Sequence, residues 1–425
     1  MHSMKISVMT LGCKVNKYES DSIIYKLNLK GFETTDKLEF ADIYLINTCA
    51  VTQEAEKKSR QMIARCRKFN RNAKIVIMGC ASQNNFQQFV GRNVDYIIGV
   101  ANKIHACDII ESIAKSDKLK VANEIFDLPS YYEDDMHAFT TRVRAYIKIQ
   151  DGCNNFCTYC IIPYLRGRSR SREIFSIINE VSSLDDEIKE IVLTGIDVAD
   201  YKIDGKPSLA LLLKELDTFQ KRLRLSSFEE GIIDEEFLKS LANLDNFCPH
   251  FHLSLQSGSD SVLKRMNRHY TTSQFLNSIN LIRKYFPSSA ITTDVIVGFP
   301  EETEEEFNET VEFIKKANFA RLHVFKYSNR TGTVASKMFK DCSPQVKENR
   351  SQILLKLSEE LHRKFISQNK EGKVLIEEKE GNYFVGYTEN YIKCYIKSDK
   401  VSINQIVKVK IKKPYLDGAE AKVIR

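Results

Sequence analysis

Asp151-Gly152-Cys153-Asn154-Asn155-Phe156-Cys157-Thr158-Tyr159-Cys160 follows the strand-like run RAYIKIQ and carries three cysteines in C-x3-C-x2-C spacing. Three thiolates this close in sequence suit one cubic 4Fe–4S cluster with a single iron left open to chelate a small molecule. Structural zinc is the competing reading. It usually takes four closed ligands, commonly from paired C-x2-C units, and no fourth Cys or His lies near in sequence. Packing alone gives no reason for this spacing after a strand.

Working outward, residues 141–365 alternate apolar runs with amphipathic stretches. Strands are expected at RAYIKIQ, KEIVLTG, RLRLSSF, HFHLSLQ, AITTDVIVG and ARLHVFKYS. Six such units predict a partial (β/α)6 parallel barrel, with its active site at the strand C-terminal ends. Residues 4–115 show the same alternation, with strands expected at KISVMTLG, ADIYLINT, AKIVIMG and DYIIG. That pattern predicts an α/β unit built on a doubly wound parallel sheet. Cys13, Cys49 and Cys80 each follow a predicted strand. Because the C-terminal ends of parallel strands share one edge, the three can meet at one site. Cys66 and Cys107 fall within predicted helices and read as packing residues.

Residues 116–140 are polar and acidic and read as a linker. Residues 366–425 switch to short strands, with turns expected at Gly381 and Asp417, and predict a small all-β barrel.

The chain has 425 residues, 43% of them hydrophobic, and eleven cysteines. Two or three domains are expected at that length. There is no long apolar run to span a membrane and no signal-peptide pattern, so a cytoplasmic location is expected and the cysteines are expected to be reduced. The net charge is +7 and is unevenly spread. Residues 141–172 hold seven Lys/Arg against one Asp, 52–74 eight against two Glu, and 366–425 twelve against eight acids. Three basic islands suit a polyanion such as RNA. Arg166, Arg168, Arg170 and Arg172 alternate along LRGRSRSR. In an extended segment they would project from one side as a comb for phosphates.

The C-x3-C-x2-C run with Tyr159 before its last cysteine resembles the radical S-adenosylmethionine (SAM) superfamily. Thr10 to Asn16 (TLGCKVN), Asn47 to Cys49 and Gly79-Cys80 resemble the N-terminal domain of its methylthiotransferase family. GCNNFCTYCIIPYLRGRSRSR, His252 to Gly258 and Asp294 to Pro300 are similar to the family's radical core, and 366–425 to its RNA-binding TRAM barrel. The chain departs from the family pattern at Glu301, where a glycine is usual. The resemblance implies a core cluster on Cys153, Cys157 and Cys160, and an auxiliary 4Fe–4S cluster on Cys13, Cys49 and Cys80. It also implies SAM contacts from Tyr159, Gly195, Glu229, Ser254 and Gln256. SAM bound to the open iron would be split by one electron to methionine and a 5′-deoxyadenosyl radical.

Within the family, Lys14-Val15, Lys148-Ile149-Gln150 and Thr388 to Lys393 resemble the branch acting on N6-threonylcarbamoyladenosine at position 37 of tRNA. That branch adds a methylthio group at carbon 2 of the adenine. A tRNA substrate, an electron donor and a sulfur source are the implied partners. The alternatives are the branches for isopentenyladenosine in tRNA or for an aspartate of a ribosomal protein, and a non-catalytic iron–sulfur protein that binds RNA. Asp294, His105 and His323 read as ordinary structural residues.

Overall fold

The structure is a computed structural model that describes residues 4–115, 123–124, 143–339 and 341–424. Among them, no helix is long and apolar enough to cross a membrane.

Ile43–Thr48 is buried along its whole length, and Lys74–Gly79 nearly so. Strands with no polar face need cover on both sides, which parallel sheets flanked by helices provide. The N-terminal unit is such a sheet. Its strand order is Glu33–Thr35, Lys5–Thr10, Ile43–Thr48, Lys74–Gly79, Tyr96–Ile98 and Asn123–Glu124, all parallel. The short first strand had no signal in the hydrophobic pattern. The last lies inside the stretch expected to be a linker, so the sheet runs past residue 115; the rest of that stretch lies outside the described residues. Helix Gln53–Phe69 is started by Thr52, whose hydroxyl accepts from the Ala55 amide at 3.1 Å, with Glu54 and Glu56 in its first turn.

The central unit has the six expected strands. Arg144–Lys148, Glu190–Thr194 and Arg222–Leu225 form one parallel group; His250–Gln256, Ala290–Val297 and Arg321–Lys326 form another. Parallel bridges from Leu223 to Phe247 and from Phe228 to Leu253 join the groups into a partial barrel. Its largest core packs Ile147, Ile191, Leu193, Leu225, Phe251 and Val295 against the surrounding helices. Capping boxes at Thr271/Gln274 and Thr303/Glu306 start two of those helices.

Helix Pro344–Gln368 runs three residues past the expected domain boundary and leads into the C-terminal unit. That unit is a closed barrel of Glu371–Glu380, Tyr383–Thr388, Lys393–Ile396, Gly418–Val423 and Ile406–Tyr415, in spatial order. Turns fall at Gly381 and Asp417 as expected.

The small barrel docks on the first strands of the large one through buried charge. Arg222 and Arg224 donate to the carbonyls of Lys373 (2.7 Å) and Glu389 (3.0 Å). Glu190, fully buried, pairs with Arg224 at 2.7 Å and Arg144 at 3.1 Å. Burial opposes its ionisation, yet Arg224 and Arg144 hold Glu190 down at about 2. Arg144 also pairs with Glu377 of the small barrel.

Burial, with Glu190 close by, pushes Glu377 up to about 7 against the pull of Arg144. The fold therefore favours its neutral form. That contribution is whole below the ordinary value of 4.5 and is lost as pH rises through 7. Glu377→Gln should then be more stable than wild type at about pH 8, by roughly 2 kcal/mol, with the gap closing toward acid pH. Thermal unfolding across pH checks this; a wild-type advantage at alkaline pH would mean the Arg144 pair outweighs burial.

Candidate active site

The loop with Cys153, Cys157 and Cys160 leaves the first barrel strand through a turn that only glycine can make. Gly152 has φ +72°, and a Cβ there would lie 1.9 Å from the Arg168 carbonyl oxygen. Its backbone is tied down on both sides. The Cys153 amide donates to the Gly167 carbonyl (3.1 Å), and the Thr158 amide to that of Met266 (3.0 Å). Asn267 donates to the carbonyls of Asn155 and Phe156. Phe156, at φ +47°, takes the left-handed conformation between the first two cysteines.

Two N–H donors reach the sulfurs. The Asn155 amide lies 3.5 Å from Cys153 Sγ, and Arg268 Nη1 lies 3.2 Å from Cys157 Sγ. Burial pushes the thiols of Cys153 and Cys160 up to about 12. Thiols held protonated in this way ionise when they bind metal, and N–H donors aimed at sulfur then stabilise the thiolate.

Of the residues expected to meet SAM, two connect to this loop through Arg268. Glu229 pairs with Arg268 at 2.6 Å and accepts from Asn155 Nδ2 at 2.9 Å. Ser254 takes part through its carbonyl, which accepts from Arg268 at 3.1 Å. Tyr159 packs against Val262, Met266, Phe299 and Tyr327. Gly195 lies against Gln150, where a Cβ would be 2.9 Å from Oε1. Gln256 ends its strand at φ +68° and is half-buried. Asp197 and Arg268 belong to this polar group and were not singled out from sequence, since neither lies in a run that marks it. Burial, with Glu229 beside it, pushes the Asp197 carboxyl up to about 6.

Cys13, Cys49 and Cys80 stand at one edge of the N-terminal sheet. Register pairs Thr10 with Asn47 and Thr48 with Gly79, so the three strands end level. Cys13 caps helix Lys14–Leu29, Cys49 follows its strand directly, and Cys80 opens a short helix. A Cβ on Gly12 would lie 2.9 Å from Cys49 Sγ, so the loops carrying Cys13 and Cys49 touch. Cys13 is exposed and Cys49 buried, and burial pushes the Cys49 thiol up to about 12. Cys66 and Cys107 are buried in the apolar core, as expected of packing residues.

The arginine comb is corrected by the structure. Arg166, Arg170 and Arg172 are buried, with Arg166 at 0% exposure. The segment is not one extended run: Arg166 ends helix Ile162–Arg166, Gly167 turns at φ +78°, and Arg170 starts a two-residue strand. Arg166 pairs with Glu19 (2.9 Å) and Asp151 (3.1 Å) and donates to Asn16 Oδ1 (2.9 Å). Arg170 donates to the Arg166 carbonyl at 2.6 Å, and Arg172 pairs with Glu180. Arg168 alone of the four is exposed, 4.3 Å over the Phe156 ring.

Lys103 and Lys148 also pair with Glu19, and Lys148 with Asp151. With Arg166 and Arg170, four buried cations surround two carboxylates. The surplus faces Cys13 and Cys49, whose ionised forms Arg166 favours. A buried cationic surplus beside three thiols fits a thiolate-bound cluster, which is anionic. Among the described residues, no three His, Cys, Asp or Glu side chains gather as ligands of one metal ion. A cubic cluster asks for a wider triangle, because each thiolate binds a different iron.

A cavity of about 760 Å³ opens where the three units meet. Cys13 and Lys14 line it from the N-terminal unit, Gly195, His252, Asp294 and His323 from the large barrel, and Tyr391 from the small one. Asp294 and His323, read from sequence as structural, are thus cavity residues.

Comparison with known proteins gives a consistent assignment. Residues 147–314 match the radical SAM superfamily, and 5–99 match a family described as uncharacterized protein family UPF0004. The threonylcarbamoyladenosine tRNA methylthiotransferase MtaB of Bacillus subtilis is 42% identical over 99% of this chain and 97% of its own length. The tRNA-2-methylthio-N(6)-dimethylallyladenosine synthase of Thermodesulfovibrio yellowstonii is 35% identical over the whole of both chains. Among solved structures, the radical SAM methyltransferase TsrM of Kitasatospora setae superposes with a TM-score of 0.55, covering 76% of this chain and 75% of that one at 16% identity. The last likeness speaks to the fold alone.

Breaking one partner out of a buried charge group leaves the others uncompensated. Arg166→Met should therefore cost about 3–5 kcal/mol, read as a lower unfolding midpoint. Arg166→Lys should restore little of it, since one ammonium cannot serve Glu19, Asp151 and Asn16 together. An unchanged midpoint in Arg166→Met would mean that Lys103 and Lys148 suffice for both carboxylates.

Proposed function

This chain belongs to the radical SAM methylthiotransferases, and from that premise we propose that it converts N6-threonylcarbamoyladenosine in tRNA to its 2-methylthio derivative. The observation that carries the reading is the near full-length likeness to a relative of that name, at 42% identity over 99% of the chain. The enzyme uses SAM and a 4Fe–4S cluster, for which Cys153, Cys157 and Cys160 are the proposed ligands. Cys13, Cys49 and Cys80 are proposed to hold a second cluster. When bound, these groups supply a radical able to activate an aromatic C–H and a carrier for sulfur, neither of which acid–base side chains provide.

The chain's own residues bind, orient and exclude. Asn155 and Arg268 donate toward the core sulfurs while Arg268 is held by Glu229. Glu229 and the Ser254 carbonyl lie on the side of the loop proposed to receive SAM. Arg166 joins the two cysteine loops into one body, and the cavity beside Cys13 is the proposed seat of the base. An electron donor and a sulfur source must come from elsewhere, and the cytoplasm, where tRNA is matured, is the proposed place of action.

The dimethylallyl branch is the second reading, favoured by the relative at 35% identity over the whole chain. A wholly apolar substituent would sit poorly against the His252, Asp294 and Lys14 wall, because polar groups dried without a partner lose their water bonds.

Anaerobic reconstitution should load about eight irons per chain, and replacing Cys153, Cys157 and Cys160 with Ala should leave about four and end reductive production of 5′-deoxyadenosine. Replacing Cys13, Cys49 and Cys80 should also leave about four while sparing that product. Persistent SAM cleavage in the first triple variant would refute the assignment of the core ligands.

For the substrate, the reconstituted enzyme is offered two tRNAs, one threonylcarbamoylated and one dimethylallylated, and the nucleosides are read by mass spectrometry. Methylthiolation of the threonylcarbamoyl form is expected. Product from the dimethylallyl form alone would move the chain to the second reading.

A further inference from the structure

The cavity between the three units has a chemical character that the reaction at carbon 2 does not itself require. Three cations line it: Lys14 beside Cys13, Arg321 at the start of the last barrel strand, and Lys393 of the small barrel, which is paired with Glu380 and Asp417 and so set aside from the other two. Neither Lys14 nor Arg321 forms a side-chain hydrogen bond or ion pair with any described residue. Both are exposed and open to a solute, unlike the buried Arg144, Arg166, Arg172, Arg224 and Arg350, each of which is already taken by a carboxylate.

The facing wall is polar and ordered. Thr292 Oγ1 lies 3.0 Å from His250 Nε2 and 2.9 Å from His252 Nδ1, and His252 Nε2 lies 3.2 Å from Asp294. His250 is more than nine-tenths buried, and its Nδ1 has no partner among the described residues. Tyr391 stacks on that imidazole, with ring centroids 4.4 Å apart and planes at 2°. The cavity thus offers unpaired cations, an unpaired ring nitrogen and a carboxylate, next to a cysteine at the edge of the N-terminal sheet. A group carrying both a carboxylate and a hydroxyl would satisfy such a set; a hydrocarbon would not.

We propose that this cavity seats the threonyl arm of the modified adenosine, with Lys14 and Arg321 taking its carboxylate. The inference rests on the substrate reading above and deepens it. It makes the two cations specificity-determining residues, a role the Arg166–Arg172 segment cannot fill because three of its arginines are buried and paired.

The test is equilibrium binding of full-length, cluster-loaded protein to three anticodon stem-loops. They differ at one base: unmodified adenosine, threonylcarbamoyladenosine, and its methyl ester, which keeps the shape and removes the charge. Wild type should prefer the charged form over both others by about ten- to a hundred-fold. Lys14→Met and Arg321→Met should each shrink that preference about tenfold without changing affinity for the unmodified loop. Iron content checks that the clusters are retained. Should Lys14→Met load poorly because it adjoins Cys13, Arg321→Met, far from the cysteines in sequence, carries the test.

The proposal is overturned if both variants keep the full preference, or if the methyl ester binds as well as the acid. It is equally overturned if each variant weakens all three loops alike and lowers the salt slope by about one, the mark of a phosphate contact. Methylthiolation of threonylcarbamoyl tRNA by wild type alongside any of these results would sink only the role of the cations. Action on dimethylallyl tRNA alone would sink the substrate reading itself.

Discussion

A guanidinium with no access to water has to be neutralised where it stands, and much of this molecule is arranged around one that is. Arg166 follows Cys160 by six residues and is met by Glu19 from the N-terminal unit and Asp151 from the foot of the core loop. Its other nitrogen donates to Asn16, whose own amide donates to the carbonyls of Leu11 (2.8 Å) and Thr48 (3.0 Å). Those carbonyls lie just ahead of Cys13 and Cys49. A single side chain therefore ties the loop of one cysteine triad to the loops of the other. Arg172 adds a second tie through Glu180, which also accepts from Tyr18 at 3.2 Å.

Such groups are weak sources of net stability, because desolvating the ions offsets most of their attraction. Their strength is geometric. The partners have fixed directions, and an error in register leaves a buried charge alone. That is useful where two sites must act on one atom, since misplacement by about 1 Å can cost a hundredfold in rate. An apolar interface between the units could be as stable and still slide. The same reasoning applies to the seam where Glu190 collects Arg144, Arg222 and Arg224 and the small barrel seals one side of the cavity.

Much of this was legible in the sequence because it rests on short-range pattern. Continuous β-branched runs ending in small residues marked the parallel strands, and once the strands were placed, the sharing of an edge by Cys13, Cys49 and Cys80 followed from topology. The cysteine spacing before Cys160 is likewise local. What failed was long-range. Alternating arginines from Arg166 to Arg172 suggest a comb only if the segment is extended and faces solvent. The helix ending at Arg166 and the turn at Gly167 break the alternation, and Glu19 lies 147 residues from the arginine it neutralises. No window on the sequence contains both. Asp294 and His323 carry no local signal for a related reason: single polar residues on barrel strands acquire meaning only when six strands turn them toward one space.

The expected row of cations does exist elsewhere in the chain. In strand Ile406–Tyr415, Val409 and Ile411 point into the small barrel, while Lys408, Lys410 and Lys412 are exposed between and beside them. Here alternation and exposure agree, because the strand is paired on both edges in a closed barrel and its two faces differ in access to water. Among the described residues Lys408 pairs with Glu371 alone, at 3.1 Å and in the open, where an ion pair is weak and easily exchanged for a phosphate. The contrast separates two uses of positive charge in one chain. Buried arginines, each matched to carboxylates, hold the units and their cysteines in place; exposed lysines on the outer face remain free to meet a polyanion. Between them lies the cavity, lined by Lys14 and Arg321, exposed cations matched to no carboxylate among the described residues, and there the demands of a polar substrate would be felt most strongly.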